Sequence, residues 1–460
     1  MTNDMTRGRI LPQLIGFTIP LVLGNLFQLT YNAADSMIVG RYLGGQALAA
    51  VGTAGPIMNL AILFISGMCM GAGILMSTQY GAKEQDVLER QISTTLLSGL
   101  VFSFCVTLSM MVLAKPVLSL IRVPEEILDS ASGYLRIIFT GFLFTFAYNF
   151  FSSTLRALGD SKASLYFLVI SSVFNIAGDL LFVAVFQWGV NGSALATVLS
   201  QILCCLCCVI YIQKKVPMLR LGKRWLTFDK RLLSRTFSFG ITSALQLMCV
   251  QLGKVFVQSM VNMQGIAFMA AFTAVNRVDD FALTPQQNIA HAVTTFMAQN
   301  KGAGQTKRMK KGFFSGIFVE LCYTAAVGAC VFLFAEPIMR LFLPEEPAEV
   351  ISLGVTYLQL ISFFYLLSGS GNIIQEFFRG IGDLKVTLIS SLLNISVRVI
   401  AVFFMLQVFH GGFGCLAWAC CFGWISMNLL EIPLLIKKIR SMKSPVFSGR
   451  LFCSVFPYFS

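Results

Sequence analysis

The sequence predicts an all-α integral membrane protein with twelve transmembrane helices, arranged as two six-helix bundles related by an internal parallel repeat. Three observations predict it: an apolar composition, twelve apolar runs of spanning length, and motifs that recur at a nearly fixed offset. Of the 460 residues 56% are hydrophobic and only 12% charged, with a mean hydropathy of +0.76. An ordinary soluble domain carries about twice that charged share. A helix needs roughly 20 apolar residues to cross about 30 Å of hydrocarbon, so the chain has room for about a dozen spans and little else.

The spans are expected near residues 11–37, 47–78, 92–114, 133–155, 163–187, 190–212, 236–261, 265–298, 312–335, 351–378, 386–409 and 413–436. The first run follows a short polar segment and continues to Gly40 without a small-residue cleavage site, so it reads as a span rather than a signal peptide. Gln213 to Arg235 is the longest polar interruption and is the expected linker. The expected division is therefore a bundle over residues 1–212, a cytoplasmic linker over 213–235, a second bundle over 236–440 and a tail over 441–460. All thirteen cysteines but Cys453 lie in apolar runs, and the dense set Cys204, Cys205, Cys207 and Cys208 has no histidine beside it. They read as small packing residues, not as a metal or redox site.

The two halves repeat. Ala47-Leu-Ala-Ala-Val-Gly-Thr-Ala54 parallels Ala267-Phe-Met-Ala-Ala-Phe-Thr-Ala274, and Val123-Pro-Glu-Glu126 parallels Leu343-Pro-Glu-Glu346. Leu155-Arg-Ala-Leu-Gly-Asp160 parallels Phe378-Arg-Gly-Ile-Gly-Asp383. Six spans per repeat is an even number, so both copies keep one orientation and the relating axis runs along the membrane normal, with a substrate path expected between the halves. With the N-terminus inside, the cytoplasmic segments hold 26 of the 34 Lys and Arg residues and the outer ones only Arg41, Lys115, Arg122 and Arg340. That asymmetry places both termini in the cytoplasm. It also accounts for the net charge of +13 through topology and anionic lipid, without a nucleic-acid partner.

Arg156-Ala-Leu-Gly-Asp160, its echo Arg379-Gly-Ile-Gly-Asp383, Ala274-Val-Asn-Arg277 and Gln299-Asn-Lys-Gly-Ala303 together resemble the bacterial multidrug and toxic compound extrusion (MATE) transporters. The resemblance runs from about Ile15 to Ile436, and residues 441–460 lie beyond it. It implies a V-shaped pair of bundles in the cell inner membrane that exports organic, often cationic and amphipathic molecules in exchange for Na+ or H+. It also implies a coupling-cation site, which falls here on Asp35, Asn175, Asp179 and Thr197. No other cofactor is expected, and the chain is expected to act as a monomer on small organic substrates within membrane lipid.

The residues themselves lead to the same place. Asn25, Gln28, Asn32 and Asp35 recur at intervals of three and four, one polar stripe on an otherwise apolar helix. A charge in lipid costs several kcal/mol, so the stripe must face protein or water. Asn175 and Asp179 stack at i and i+4, and carboxylate, amide and hydroxyl oxygens suit a hard cation such as Na+. Two buried carboxylates serve a proton equally well, so the choice between the ions stays open. Pro20 should kink the first span, either as a fixed bend or as one that follows the charge on Asp35; the corresponding residue of the seventh span is Thr242.

The second half is richer in charge. Asn276, Asp280, Thr284, Gln287 and His291 form one stripe of the eighth span, Lys254 lies on the seventh, and Glu376 and Arg398 are charges of the tenth and eleventh. Together with Gln28 and Asn32 they are candidates for the wall of a substrate cavity, or for a buried network that neutralises itself. The chain has no Gly-x-x-x-x-Gly-Lys-Ser/Thr loop for ATP. With His291 and His410 as its only histidines it lacks the set a membrane-embedded enzyme would need. A flippase for lipid-linked precursors is the nearest alternative of the same architecture, and a passive channel would not need a duplicated bundle.

Overall fold

In hydrocarbon each backbone N–H and C=O must find its partner within its own segment, so the apolar runs fold as helices. The computed structural model describes residues 4–216, 219, 226–343 and 347–442, and among these no strand occurs. Among the described residues ten helices are long and apolar enough to cross a membrane, beginning with Ile10–Gly44 and Ala49–Ala82 and ending with Cys415–Ser441. An eleventh crossing is the pair Glu125–Thr140 and Phe142–Ala157, bent by 47° at Gly141. The remaining expected span, the eighth, is the 37-residue helix Ile266–Gly302. It is long enough but too polar to pass the same test, because it carries Arg277, Asp279 and Asp280 as well as Gln286, Gln287, Asn288 and His291.

Several helices overrun their hydropathy limits. The third extends over Gln85–Leu120 and the ninth over Thr306–Leu333, since backbone bonding continues after the side chains turn polar. Pro20 lies inside a helical run that breaks only at Gly44, where φ is +80°. The repeat is written into the backbone. Positive φ recurs at Gly44 and Gly265, at Lys83 and Gly304, at Gly159 and Gly382, and at Gln187 and His410. These pairs are 221 to 223 residues apart. Each half also ends its fifth span in a π-helical turn, Leu180–Val185 in the first and Phe404–Val408 in the second.

The chain divides into two compact units. The first contains Gly16–Tyr80 and Glu84–Met248, around a core that includes Phe139, Phe150 and Leu155. The second contains Met5–Ile15, Gly81–Lys83 and the chain from Cys249 onward, around Tyr357, Tyr365 and Phe413. The start of the seventh helix, Lys230–Asn262, therefore packs with the first unit. Small residues permit this: a Cβ on Gly71 would stand 2.5 Å from the backbone nitrogen of Gly240, and one on Gly67 would stand 2.4 Å from Cα of Ala244. Of the expected linker, residues 217, 218 and 220–225 lie outside the described residues, as do 344–346 of the second Pro-Glu-Glu motif and tail residues 443–460. The end of the linker is held by the third span. Ser93 Oγ donates to the Thr227 carbonyl at 2.7 Å, and Asp229 Oδ1 caps the next helix through the Arg231 N–H at 2.8 Å.

Candidate ion and substrate sites

In the first unit, the first, fifth and sixth spans bring the implied ion residues together. Ser161–Asp179 ends on Asp179 because the π-helical turn begins at the next residue, and such turns are frequent at functional sites. Asp179 has no solvent exposure, and neither of its carboxylate oxygens makes a hydrogen bond. The Asp35 carboxyl and the Ser193 hydroxyl lie within its electrostatic reach, and Ser193 Oγ donates to Asp35 Oδ1 at 3.0 Å. Asn175 is buried, and its amide nitrogen donates to Thr197 Oγ1 at 3.4 Å, which leaves its carbonyl oxygen without a partner. The cluster thus holds three buried oxygen atoms with unused lone pairs, and two carboxylates close enough to repel. An unpaired buried carboxylate is costly, so the arrangement favours a bound cation or a proton. Among the described residues no three His, Cys, Asp or Glu side chains converge, so an ion held here would rely on amide and hydroxyl oxygens as well.

Gln28 and Asn32, on the same stripe of the first span, are exposed, and Pro20 is buried a few turns earlier. Sequence reading missed Ser193 and Tyr134. Ser193 lies four residues before Thr197 on one helix face, so its period could have revealed it. Tyr134, buried within electrostatic reach of Asp35 and Asp179, had no such signal because it comes from another span.

The second unit distributes its charges differently. Asp279 accepts from Tyr365 Oη at 2.6 Å and from Tyr357 Oη at 2.9 Å. Arg398, on the helix Leu384–Phe403, lies within electrostatic reach of Asp279, and its Nε is buried without a hydrogen bond. Lys254 Nζ is 3.7 Å from Asp280, both partly exposed. Glu376 is only 5% exposed; it accepts from Arg379 and Thr294, and His291 Nδ1 stands 3.3 Å from it. Of the candidate wall residues, Lys254 and Gln287 are exposed, Asn276, Asp280, His291 and Arg398 are partly buried, and Glu376 is closed off. Two further acids, Glu320 and Glu431, are fully buried with no hydrogen bond to either carboxylate oxygen. Each stands as a lone acid in an apolar run, a signal present in the sequence and passed over.

A family model described as MatE matches residues 20–181 and 242–404, two segments that begin 222 and end 223 residues apart. The chain is 32% identical over 373 residues to the probable multidrug resistance protein YoeA of Bacillus subtilis, a match covering 80% of each. It is 31% identical over 393 residues to the probable multidrug resistance protein YpnP of the same organism, covering 85% of this chain and 87% of the relative. Among solved structures, a MOP superfamily transporter from Pyrococcus furiosus aligns with a TM-score of 0.89 at 22% identity. That alignment covers 96% of this chain and 98% of the other, a likeness of fold.

Proposed function

Because the chain belongs to the MATE family of membrane transporters, we propose that it is a secondary antiporter, exporting organic cationic and amphipathic compounds in exchange for Na+ or H+ bound at Asp35, Asn175, Asp179 and Thr197. The observation that carries this reading is Asp179, a buried carboxylate with no hydrogen bond, beside a second acid and an unpartnered amide oxygen. A cation between the two carboxylates, or a proton on one, removes their repulsion in a site of low dielectric. The Ser193 and Thr197 hydroxyls and the Asn175 carbonyl complete an oxygen cage suited to Na+.

Coupling requires that the occupied and empty sites favour different arrangements of the helices, since an ion shifts an equilibrium only through its differential affinity. Asp35 and Asp179 sit on different spans, so ion release leaves two like charges pressing those spans apart. Pro20 lacks a backbone N–H and gives the first span a place to bend at low cost. Lys254, Asn276, Asp280, Gln287, His291 and Arg398 offer polar contacts to substrate, along with Gln28 and Asn32.

The chain acts from the cell membrane as a monomer with both termini in the cytoplasm. A cysteine replacing Lys162 in a cysteine-depleted background is therefore labelled only from the cytoplasm, and one replacing Lys115 only from outside; swapped accessibility would overturn the orientation. The test of coupling is drug release from vesicles under separately imposed proton and sodium gradients, with wild type and Asp35→Asn. Export driven by either gradient in wild type and lost in the variant is expected. Gradient-driven export by Asp35→Asn at the wild-type rate would reject the site.

A further inference from the structure

At the end of the second unit where Met5–Ile15 meets the start of the helix Thr306–Leu333, four cations converge on an apolar groove of about 830 Å³: Arg9, Lys307, Lys310 and Lys311. No acid lines the groove, and none of the four has an ion pair among the described residues. The charges are set at two helix starts, Ile10 and Thr306, with no acidic residue in either first turn. Free N–H groups and the helix dipole already make such ends positive. Placing four cations there is self-repulsive unless an anion occupies the groove.

The groove is built rather than incidental. Arg308 spends its guanidinium on holding the N-terminal segment: Nε donates to the Met5 carbonyl at 3.1 Å, Nη1 to Gly8 at 2.7 Å, and Nη2 to Arg7 at 3.0 Å and to Gln13 Oε1 at 2.8 Å. Asn300 Nδ2 adds a bond to the Met5 carbonyl at 3.1 Å. The clamp holds the segment that carries Arg9 into the groove that the three lysines also line. Away from the charged end, each helix carries an exposed apolar pair at i and i+4: Leu11 and Ile15 on one, Phe314 and Phe318, 57% and 63% exposed, on the other.

We propose that this groove binds an anionic phospholipid of the cytoplasmic leaflet, the headgroup phosphate among Arg9, Lys307, Lys310 and Lys311 and the acyl chains along Leu11, Ile15, Phe314 and Phe318. Charge complementarity selects an anion, and the apolar pairs running on from the cations select one that carries hydrocarbon. The bound lipid ties the start of the first span to the ninth. The leaflet, not the lipid class, rests on the orientation proposed above.

The experiment uses the full chain in phosphatidylcholine vesicles doped with spin-labelled phosphatidylglycerol or spin-labelled phosphatidylcholine, measuring the motionally restricted fraction of each. Wild type should prefer phosphatidylglycerol by roughly five-fold, and Lys307→Gln, Lys310→Gln, Lys311→Gln together should bring that below about two-fold. A control with the same charge loss elsewhere, Lys162→Gln, Lys214→Gln, Lys215→Gln, should keep the preference. An equal fall in the control would mean diffuse surface charge and overturn the site. Full competition by millimolar glycerol 3-phosphate would show a soluble-anion site and overturn the lipid assignment. Cysteine labelling at Lys162 and Lys115 reads the orientation independently, so a wrong leaflet and an absent site give different results.

Discussion

The first unit sets Asp35 and Asp179 in a partly unsatisfied cluster, whereas the second ties Asp279 and Glu376 into bonds and leaves Glu320 and Glu431 apart, buried without one. Residues 223 positions apart make the contrast concrete: Asn175 corresponds to Arg398, Asp179 to Val402, Thr197 to Cys420 and Tyr134 to Tyr357. The backbone devices are shared, down to the π-helical turn after the fifth span of each half. The chemistry is not. Where the first unit has an amide whose oxygen is unpartnered, the second supplies a tethered guanidinium, with Asp279 as its counter-charge under two tyrosine hydroxyls. A duplicated scaffold thus carries an unpaired amide and carboxylate at these positions in one copy and a guanidinium with a counter-charge in the other, and in the proposed function coupling to a gradient belongs to the first.

The sharpest way to break this contrast is to remove both mobile-site charges. Asp35→Asn with Asp179→Asn should reduce antiport to the level of empty vesicles while substrate binding by equilibrium dialysis stays within about three-fold, because exchange fails when coupling is lost. Full gradient-driven export by that variant would dissolve the difference between the units. In the second unit Glu376→Gln leaves buried Arg379 without its counter-charge, and a loss on the order of 3–5 kcal/mol in stability is expected, read by thermal melting in detergent. Export of cationic and neutral compounds should fall together; a selective loss of cationic export would instead bring Glu376 into contact with substrate. Thr197→Ala removes one oxygen ligand worth about 1 kcal/mol, so the sodium concentration for half-maximal export should rise roughly five-fold while proton-driven export is unchanged. Smallest of all, Arg398→Gln should leave that sodium requirement as it is, and a shift comparable to Thr197→Ala would show the two halves sharing an ion.

Most of the scaffold was legible because a bilayer demands long apolar runs and because a duplication leaves motifs in step. Arg156-Ala-Leu-Gly-Asp160 and Arg379-Gly-Ile-Gly-Asp383 announce the paired left-handed turns at Gly159 and Gly382. The polar stripe through Asn32 and Asp35 and the Asn175, Asp179 pair were visible as helical period. Partners brought from other spans were not. Tyr134 beside the acids, and Tyr357 and Tyr365 on Asp279, are matters of packing between helices that one sequence does not encode locally. Glu376 reads as a cavity acid until Arg379, one turn later, turns back onto it. The helix Ile266–Gly302 shows the limit of the apolar signal: its charged and amide side chains make it marginal by composition, while loop signals and hydropathy together still marked it as a span.

The exchange of segments between the units sets an order for biosynthesis. Met5 N donates to Gln299 Oε1 at 3.0 Å, and Arg308 closes over Met5, Arg7 and Gly8, so this segment docks only after about 300 further residues have been made. The first unit is likewise incomplete until Lys230–Met248 has been inserted to cover Gly67 and Gly71. Six spans can therefore enter the bilayer before the first unit is finished, and Met5–Ile15 reaches its final place only with the second.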